Sequence, residues 1–154
     1  MYQHILIPTD GSELAERGVT HGLSLAKFVG AKVTAIIVEE RPDAWWGVGG
    51  AISEPRGGVA FAELTEELKK HAASVLVRVA NAAKQAGVPC DTILVEHVQR
   101  PYEAIIATAT NRGCDLIVMA SHGRGGLSAI VLGSVTNKVL THTKVPVLVV
   151  PSRS

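Results

Sequence analysis

Cysteine is scarce in this chain of 154 residues, which has only Cys90 and Cys114. Two cysteines without metal-type spacing exclude a disulfide framework and a zinc ribbon, and they fit reduced thiols in a cytoplasmic protein. Aromatic residues make up 4% of the chain against 47% hydrophobic residues in all. The core must therefore be built from Val, Ile, Leu and Ala, which suits a parallel sheet covered on both faces. An excess of charge is missing too: 15 Lys and Arg against 14 Asp and Glu leave a formal net charge of +1. That balance provides no basic footprint for nucleic acid or for an anionic membrane surface, so any anion has to be held by local groups. No run approaches the ~18 consecutive apolar residues of a membrane span. The apolar run Ile5-Leu-Ile7 lacks both the basic flank and the length of a signal peptide. Catalytic signatures are also lacking. There is no phosphate-loop Gly-x4-Gly-Lys-Ser/Thr, no Gly-x-Gly-x-x-Gly after the first apolar run, no acidic cluster for two metals, no kinase set and no Ser/Cys–His–Asp constellation.

What is present is an alternation of short apolar runs and helical patterns. Residues 5–7, 33–38, 92–95, 116–119 and 145–150 read as five strands. Between the first two, Leu14, Ala15, Val19, Leu23 and Ala26 recur at helical spacing, and Gly30 stands where a C′ glycine belongs. Leu64, Leu68, Ala72, Val75, Val79 and Ala83 mark a long amphipathic helix ending at Gly87. Pro101 suits the first turn of a third helix that buries Ile105 and ends near Gly113. Residues 135–140 give the fourth. Residues 41–58, rich in Gly and Pro and carrying Trp45-Trp46, read as a long loop or lid. Five strands alternating with four helices describe one α/β domain over 1–154, a parallel sheet with right-handed crossovers.

The stretch Ala120-Ser-His-Gly-Arg-Gly-Gly-Leu-Ser-Ala-Ile-Val-Leu-Gly-Ser134 carries the chemistry. It follows the buried run 116–119 and leads into a helix. Such a strand–glycine turn–helix arrangement presents unpaired backbone N–H groups and the positive end of a helix dipole to an anion. Gly123 and Gly133 let the backbone approach a phosphate, and the Ser134 hydroxyl can donate to one. The same glycines can also serve only as turn formers. Arg124 can pair with a phosphate or point into solvent. His122 reads as a ligand contact or as a structural histidine. Asp10 can hold a ribose hydroxyl or a phosphate-bound Mg2+, or merely cap the first helix. Trp45-Trp46 can cover a ligand, meet a partner or fold over the core edge.

The chain resembles the universal stress protein (UspA) family. The resemblance rests on Ile5-Leu-Ile-Pro-Thr-Asp-Gly-Ser12, Asp115-Leu-Ile-Val-Met119, Val145-Pro-Val-Leu-Val-Val150, and a spacing close to the family's Gly-x2-Gly-x9-Gly-Ser/Thr. Gly123, nine residues, then Gly133-Ser134 match that spacing, while Ala120 stands where the family has its first glycine. The resemblance implies a Rossmann-like doubly wound sheet of order 3-2-1-4-5. Winding then reverses between strands 1 and 4, so Pro8, Thr9 and Asp10 meet 119–123 across one crevice. It further implies an ATP-binding type of protein, with AMP or ADP as alternatives and Mg2+ as companion. The nucleotide would touch Pro8, Thr9, Asp10, Ile37, Val38, Met119, Ala120, His122, Gly123, Arg124, Gly133, Ser134, Val135 and Thr136. One of Ile37 and Val38 would face adenine, and Asp10 would be the Mg2+ residue.

The expected function is an adenine nucleotide held as a regulatory ligand in stress response, with at most weak ATP hydrolysis. The expected assembly is a homodimer through the strand at 145–150, an apolar edge open to a second copy, and an unknown protein partner has room beside it. Two alternatives stand: a nucleotide-free dimeric interaction module, which Ala120 favours, and a slow ATPase or phosphotransfer protein using Asp10.

Overall fold

Three apolar residues decide where the first strand goes. Ile5, Leu6 and Ile7 are all fully buried, which only a central strand covered on both faces allows. In the computed structural model, which describes residues 1–40, 57–122 and 132–151, β1 (His4–Pro8) is indeed central. The sheet runs β3 (Cys90–Val98), β2 (Lys32–Glu40), β1, β4 (Leu116–Ala120), β5 (Val147–Val150), and every pair is parallel. The expected order 3-2-1-4-5 therefore holds. The strand alternation sorts the core in two. Ile5, Ile7, Val33, Ala35, Ile37, Leu116 and Val118 face α1 (Glu13–Val29) and α2 (Gly57–Ala86). Leu6, Ile36, Ile117 and Met119 face α3 (Pro101–Asn111) and α4 (Ser134–His142). Each of these Val, Ile, Leu and Met side chains contributes about 1.5–3 kcal/mol on full burial.

The helices end where their termini chemistry says. Ser12 caps α1, its Oγ accepting from the Ala15 amide at 3.2 Å. Gly30 closes the helix at φ 73, in the left-handed region that glycine enters freely. Pro101 opens α3. Helix α2 begins at Gly57, well before the first periodic residue at Leu64. Strand β5 starts at Val147, two residues later than the apolar run suggests. Pro146 has no N–H to give the ladder, and the Val145 amide turns to the Thr143 hydroxyl at 3.0 Å. The Trp45-Trp46 loop lies outside the described residues. Among the described residues, no helix is long and apolar enough to cross a membrane. Both cysteines are free thiols; burial pushes Cys114 up to about 11 and raises Cys90 as well, so both stay protonated.

At the amino ends of the strands a polar cluster ties β1 to β4. The Asp115 carboxylate accepts from the amides of Gln3 at 2.8 Å and His4 at 3.0 Å. Buried His4 places Nε2 2.8 Å from the Thr34 hydroxyl. Burial, helped by Lys32, lowers the His4 pKa. For Asp115, burial opposes ionisation, but the amides of Gln3 and His4 outweigh it and hold the carboxyl below its usual range. Both groups thus bind protons less readily when folded. Their stabilisation is complete above about pH 6.5 for His4 and about pH 3.9 for Asp115, the unfolded values. It is lost as pH falls from each of these toward the folded value. Thermal melts should show stability declining from pH 6.5 to 5. His4→Gln, which can still meet Thr34 but does not titrate, should flatten that slope; an equal slope in the variant would clear His4 of the effect.

Candidate functional site

The carboxyl ends of β2, β1 and β4 lie side by side, with the reversal of winding between β1 and β4. β1 leaves the sheet at Pro8, and the Thr9 amide still donates to the Ile36 carbonyl at 2.9 Å. That bond sets the β1 exit beside Ile37, which is buried, and Val38, which is half-buried. The chain then turns sharply. Buried Thr9 accepts the Gly11 amide on its hydroxyl at 3.2 Å, and Asp10 accepts the Ser12 amide at 2.9 Å. Gly11 sits at φ 74, where a Cβ would lie 2.6 Å from the Val75 Cγ2 of α2. The helix cap is therefore Ser12, and Asp10 closes the turn before it. The capping role expected as the plain alternative for Asp10 belongs to its neighbour.

On the other side of the crevice, β4 is entirely buried and ends at Ala120. Ala120 pairs with Val150 in regular extended backbone, where a methyl group carries no conformational cost. The departure from glycine at this position thus brings no backbone strain. After it the Ser121 amide donates to the Val150 carbonyl at 2.8 Å, and the Ser121 carbonyl accepts from Gly133 at 2.8 Å. The Thr136 hydroxyl donates to the Ala120 carbonyl at 3.1 Å. Two hydrogen bonds therefore pin the start of α4 against the end of β4. Gly133 is the N-cap and offers no side-chain cap, and no acidic residue stands in the first turn of α4. The leading amides of Ser134, Val135 and Thr136 have no partner inside the helix, and the dipole there is not offset by a local carboxylate. With its hydroxyl given to Ala120, buried Thr136 has only its amide to offer an anion.

His122 is 8% exposed, and its Nδ1 lies 3.2 Å from the Ser121 hydroxyl. Its Nε2 is buried and finds no hydrogen-bond partner among the described residues. The structure so brings together Pro8, Thr9, Asp10, Ile37 and Val38 on one side. Met119, Ala120 and His122 with Gly133, Ser134, Val135 and Thr136 make up the other. Gly123 and Arg124 lie outside the described residues. No group of three or more His, Cys, Asp or Glu side chains suited to a metal occurs among the described residues. A groove of about 760 Å3, lined by Glu13, Glu16, Arg17, His21, Leu148 and Val150 among others, runs between α1 and β5.

Sequence reasoning passed over two contributors. Ser121 holds both β5 and α4 through its backbone and His122 through its hydroxyl; its only signal was its place directly after a buried strand. Gly18 of α1 lets that helix rest on the Ala120 backbone, where a Cβ would come within 3.0 Å of the Ala120 nitrogen. Its signal was a glycine inside a helical pattern, four residues before another at Gly22.

The model of the Universal stress protein family matches residues 1–151. Universal stress protein MJ0531 of Methanocaldococcus jannaschii is 35% identical over 97% of this chain and 82% of its own length. Among solved structures, that of protein MJ0577 superposes with a TM-score of 0.81 at 29% identity, covering 100% of this chain and 99% of the other. A universal stress protein solved in complex with cAMP shares the fold, with a TM-score of 0.68 at 22% identity over 99% and 98% of the two chains.

Proposed function

The chain belongs to the universal stress protein family, and from that premise we propose that it holds an adenine nucleotide, foremost ATP with Mg2+, as a regulatory ligand. One observation carries the reading. The uncapped start of α4 is fastened to the end of β4 at the winding reversal, beside the exit of β1. Amides without a partner inside the helix suit phosphate oxygens at such a place. In this reading the amides of Ser134 and Val135 meet the phosphates while Gly133, its own amide given to Ser121, leaves room for them, with Gly123 and Arg124 completing the turn by family resemblance. Ile37 and Val38 border the adenine, and Thr9 and Asp10 border the ribose. In this reading Asp10 meets a phosphate-bound Mg2+, directly or through water. That a protein of this fold has been solved with cAMP supports an adenine ligand in this architecture.

An extended strand end accepts alanine without backbone strain, which supports nucleotide binding despite Ala120. The protein acts as a cytoplasmic homodimer in this reading. Strand β5 is a sheet edge with half-exposed Leu148, and its unpaired ladder groups suit a second copy.

The test is the identity of whatever nucleotide accompanies the purified protein, read by ultraviolet absorbance and mass spectrometry after denaturation. ATP, ADP or AMP is expected. Protein that arrives empty and takes up none of them at millimolar concentration would end this reading. Phosphate release under excess ATP should stay far below the ~10 per second of a median enzyme; faster turnover lost in Asp10→Ala would make the protein an ATPase. Sedimentation should give a dimer at micromolar concentration, and a monomer there would defeat the edge pairing.

A further inference from the structure

A strand at the end of a sheet leaves one row of N–H and C=O groups unpaired, and proteins usually keep such edges short or charged. The two ends of this sheet are unequal. β5 has four residues, whereas β3 at the other end has nine. β3 pairs with β2, and no strand lies on its outer side among the described residues. Its centre is Ile93-Leu-Val95, with Leu94 turned toward the α2 side and Ile93 and Val95 toward the α3 side. All three are only half-buried. The charges that would blunt this edge are engaged within the chain. Asp91 meets Arg112 at 3.5 Å, and Glu96 meets Lys69 at 2.9 Å.

Helix α2 adds an apolar margin beside the edge. Its side toward α1 is marked by Arg78, 3.0 Å from Glu16, and by His71 against Gly11. Lys69, bound to Glu96 of β3, marks the opposite side. Ala73, Val77 and Ala80 follow at helical spacing on that opposite side and its outer flank. Ala73 is exposed, Ala80 is half-buried and Val77 is 59% exposed. A nine-residue strand is about 30 Å long. With a helix layer about 10 Å deep on each face, such an end offers roughly 900 Å2, against ~800 Å2 for one partner in a standard interface.

We propose that β3 is a second self-association edge, at which two copies pair antiparallel while their α2 stripes pack together beside the strands. A twofold axis normal to the sheet makes identical edges antiparallel and keeps both α2 helices on one face. The surface is then complementary to itself: an uncharged strand centre meets an uncharged centre, and small residues let the two helices approach. Val77 is the one sizeable apolar side chain in the stripe, so the contact lacks the aromatic anchors of a tight interface. It therefore joins copies only above micromolar concentration. Pairing at β3 as well as at β5 has no closing geometry within one plane, so dimers would add edge to edge into an open row. The inference needs neither the nucleotide nor the β5 pairing.

Sedimentation and amide exchange read by mass spectrometry test it, from micromolar to millimolar protein, in the native chain, Val77→Arg and Leu148→Lys. The native chain should pass from dimer to larger species, and its β3 amides should exchange about tenfold more slowly at the upper concentration. Val77→Arg changes an exposed position and should melt with the native chain. It should nevertheless stay a dimer at every concentration, with no slowing at β3, because pairing would bury the new charge. Leu148→Lys charges the β5 edge instead. It should be a monomer at micromolar concentration and a dimer through β3 at millimolar. A native chain of constant mass, or β3 amides indifferent to concentration, would overturn the proposal. Growth that persists unchanged in Val77→Arg would overturn it too. A Leu148→Lys protein still dimeric at micromolar concentration would defeat the β5 reading alone, and the β3 amides would still decide this one.

Discussion

Gly18→Val is expected to lower the melting temperature by roughly 6–12 °C, the shift that about 3 kcal/mol produces in a domain of this size. Glycine inside a helix normally costs stability relative to alanine, so an ordinary helix would gain from the change. Here a Cβ would meet the Ala120 nitrogen at 3.0 Å and the Met119 carbonyl carbon at 3.4 Å. These are backbone atoms of a fully buried strand and cannot move aside as a side-chain end can. Valine adds two more methyl-sized branches at the same point, so α1 must lift away from β4. The lift falls at the strand end that forms one wall of the crevice, so ATP affinity should drop along with stability. Gly18→Ala should fall between the two proteins in calorimetric melts. A valine variant that melts with the native chain would show that α1 does not need this close approach.

The second large effect is expected at Gly133. Its backbone, φ −56 and ψ 146, is open to any residue, so conformational freedom is not why glycine is there. Room is the reason: a Cβ would stand 3.1 Å from the Ser121 carbonyl oxygen and 3.3 Å from the His122 Cα. Gly133→Val should therefore swing the first turn of α4 off the end of β4, dispersing the amides gathered there. ATP affinity should fall at least tenfold, ~1.4 kcal/mol or more, while buried Val139 keeps the helix docked and the protein folded. Gly133→Ala needs only a few tenths of an ångström and should lose much less. Titration of the folded valine variant checks this, and undiminished affinity would remove the α4 start from the site.

The glycine spacing, the strand pattern and the helix ends were legible because each is local. Ile5-Leu-Ile7 could only be a strand buried on both sides, and Gly30 and Gly87 each take the left-handed conformation their positions suggested. The relation between distant residues was not legible from composition or periodicity. Strand order came from family resemblance, since no periodicity says that β1 lies next to β4. Ser12 and not Asp10 caps α1 because a turn of three polar or small residues has several ways to satisfy the same amides. Gly18 and Gly133 are needed for contacts with β4, which lies far along the chain from the first and across a turn from the second. Thr136 looked like a ligand residue from its place in the pattern, and only its distance to the Ala120 carbonyl reveals a fastening. The His122 nitrogen that finds no partner among the described residues has no sequence signature, because it is a property of the space around the ring.

The central position of β1 has a consequence for how the chain comes into being. Strand β1 is the first to be synthesised, yet its partner β4 begins only at Leu116, and the Asp115 carboxylate that fastens the two is 111 residues from the His4 amide it accepts. At synthesis rates of roughly 5–20 residues per second, one ladder edge of Ile5-Leu-Ile7 waits about 6–20 seconds for its partner. Until then the nascent chain can close only the β1–β2–β3 half of its sheet, with an apolar edge open to other strands. Folding is thereby timed by translation: the crevice comes into existence only once β4 and the start of α4 have been synthesised.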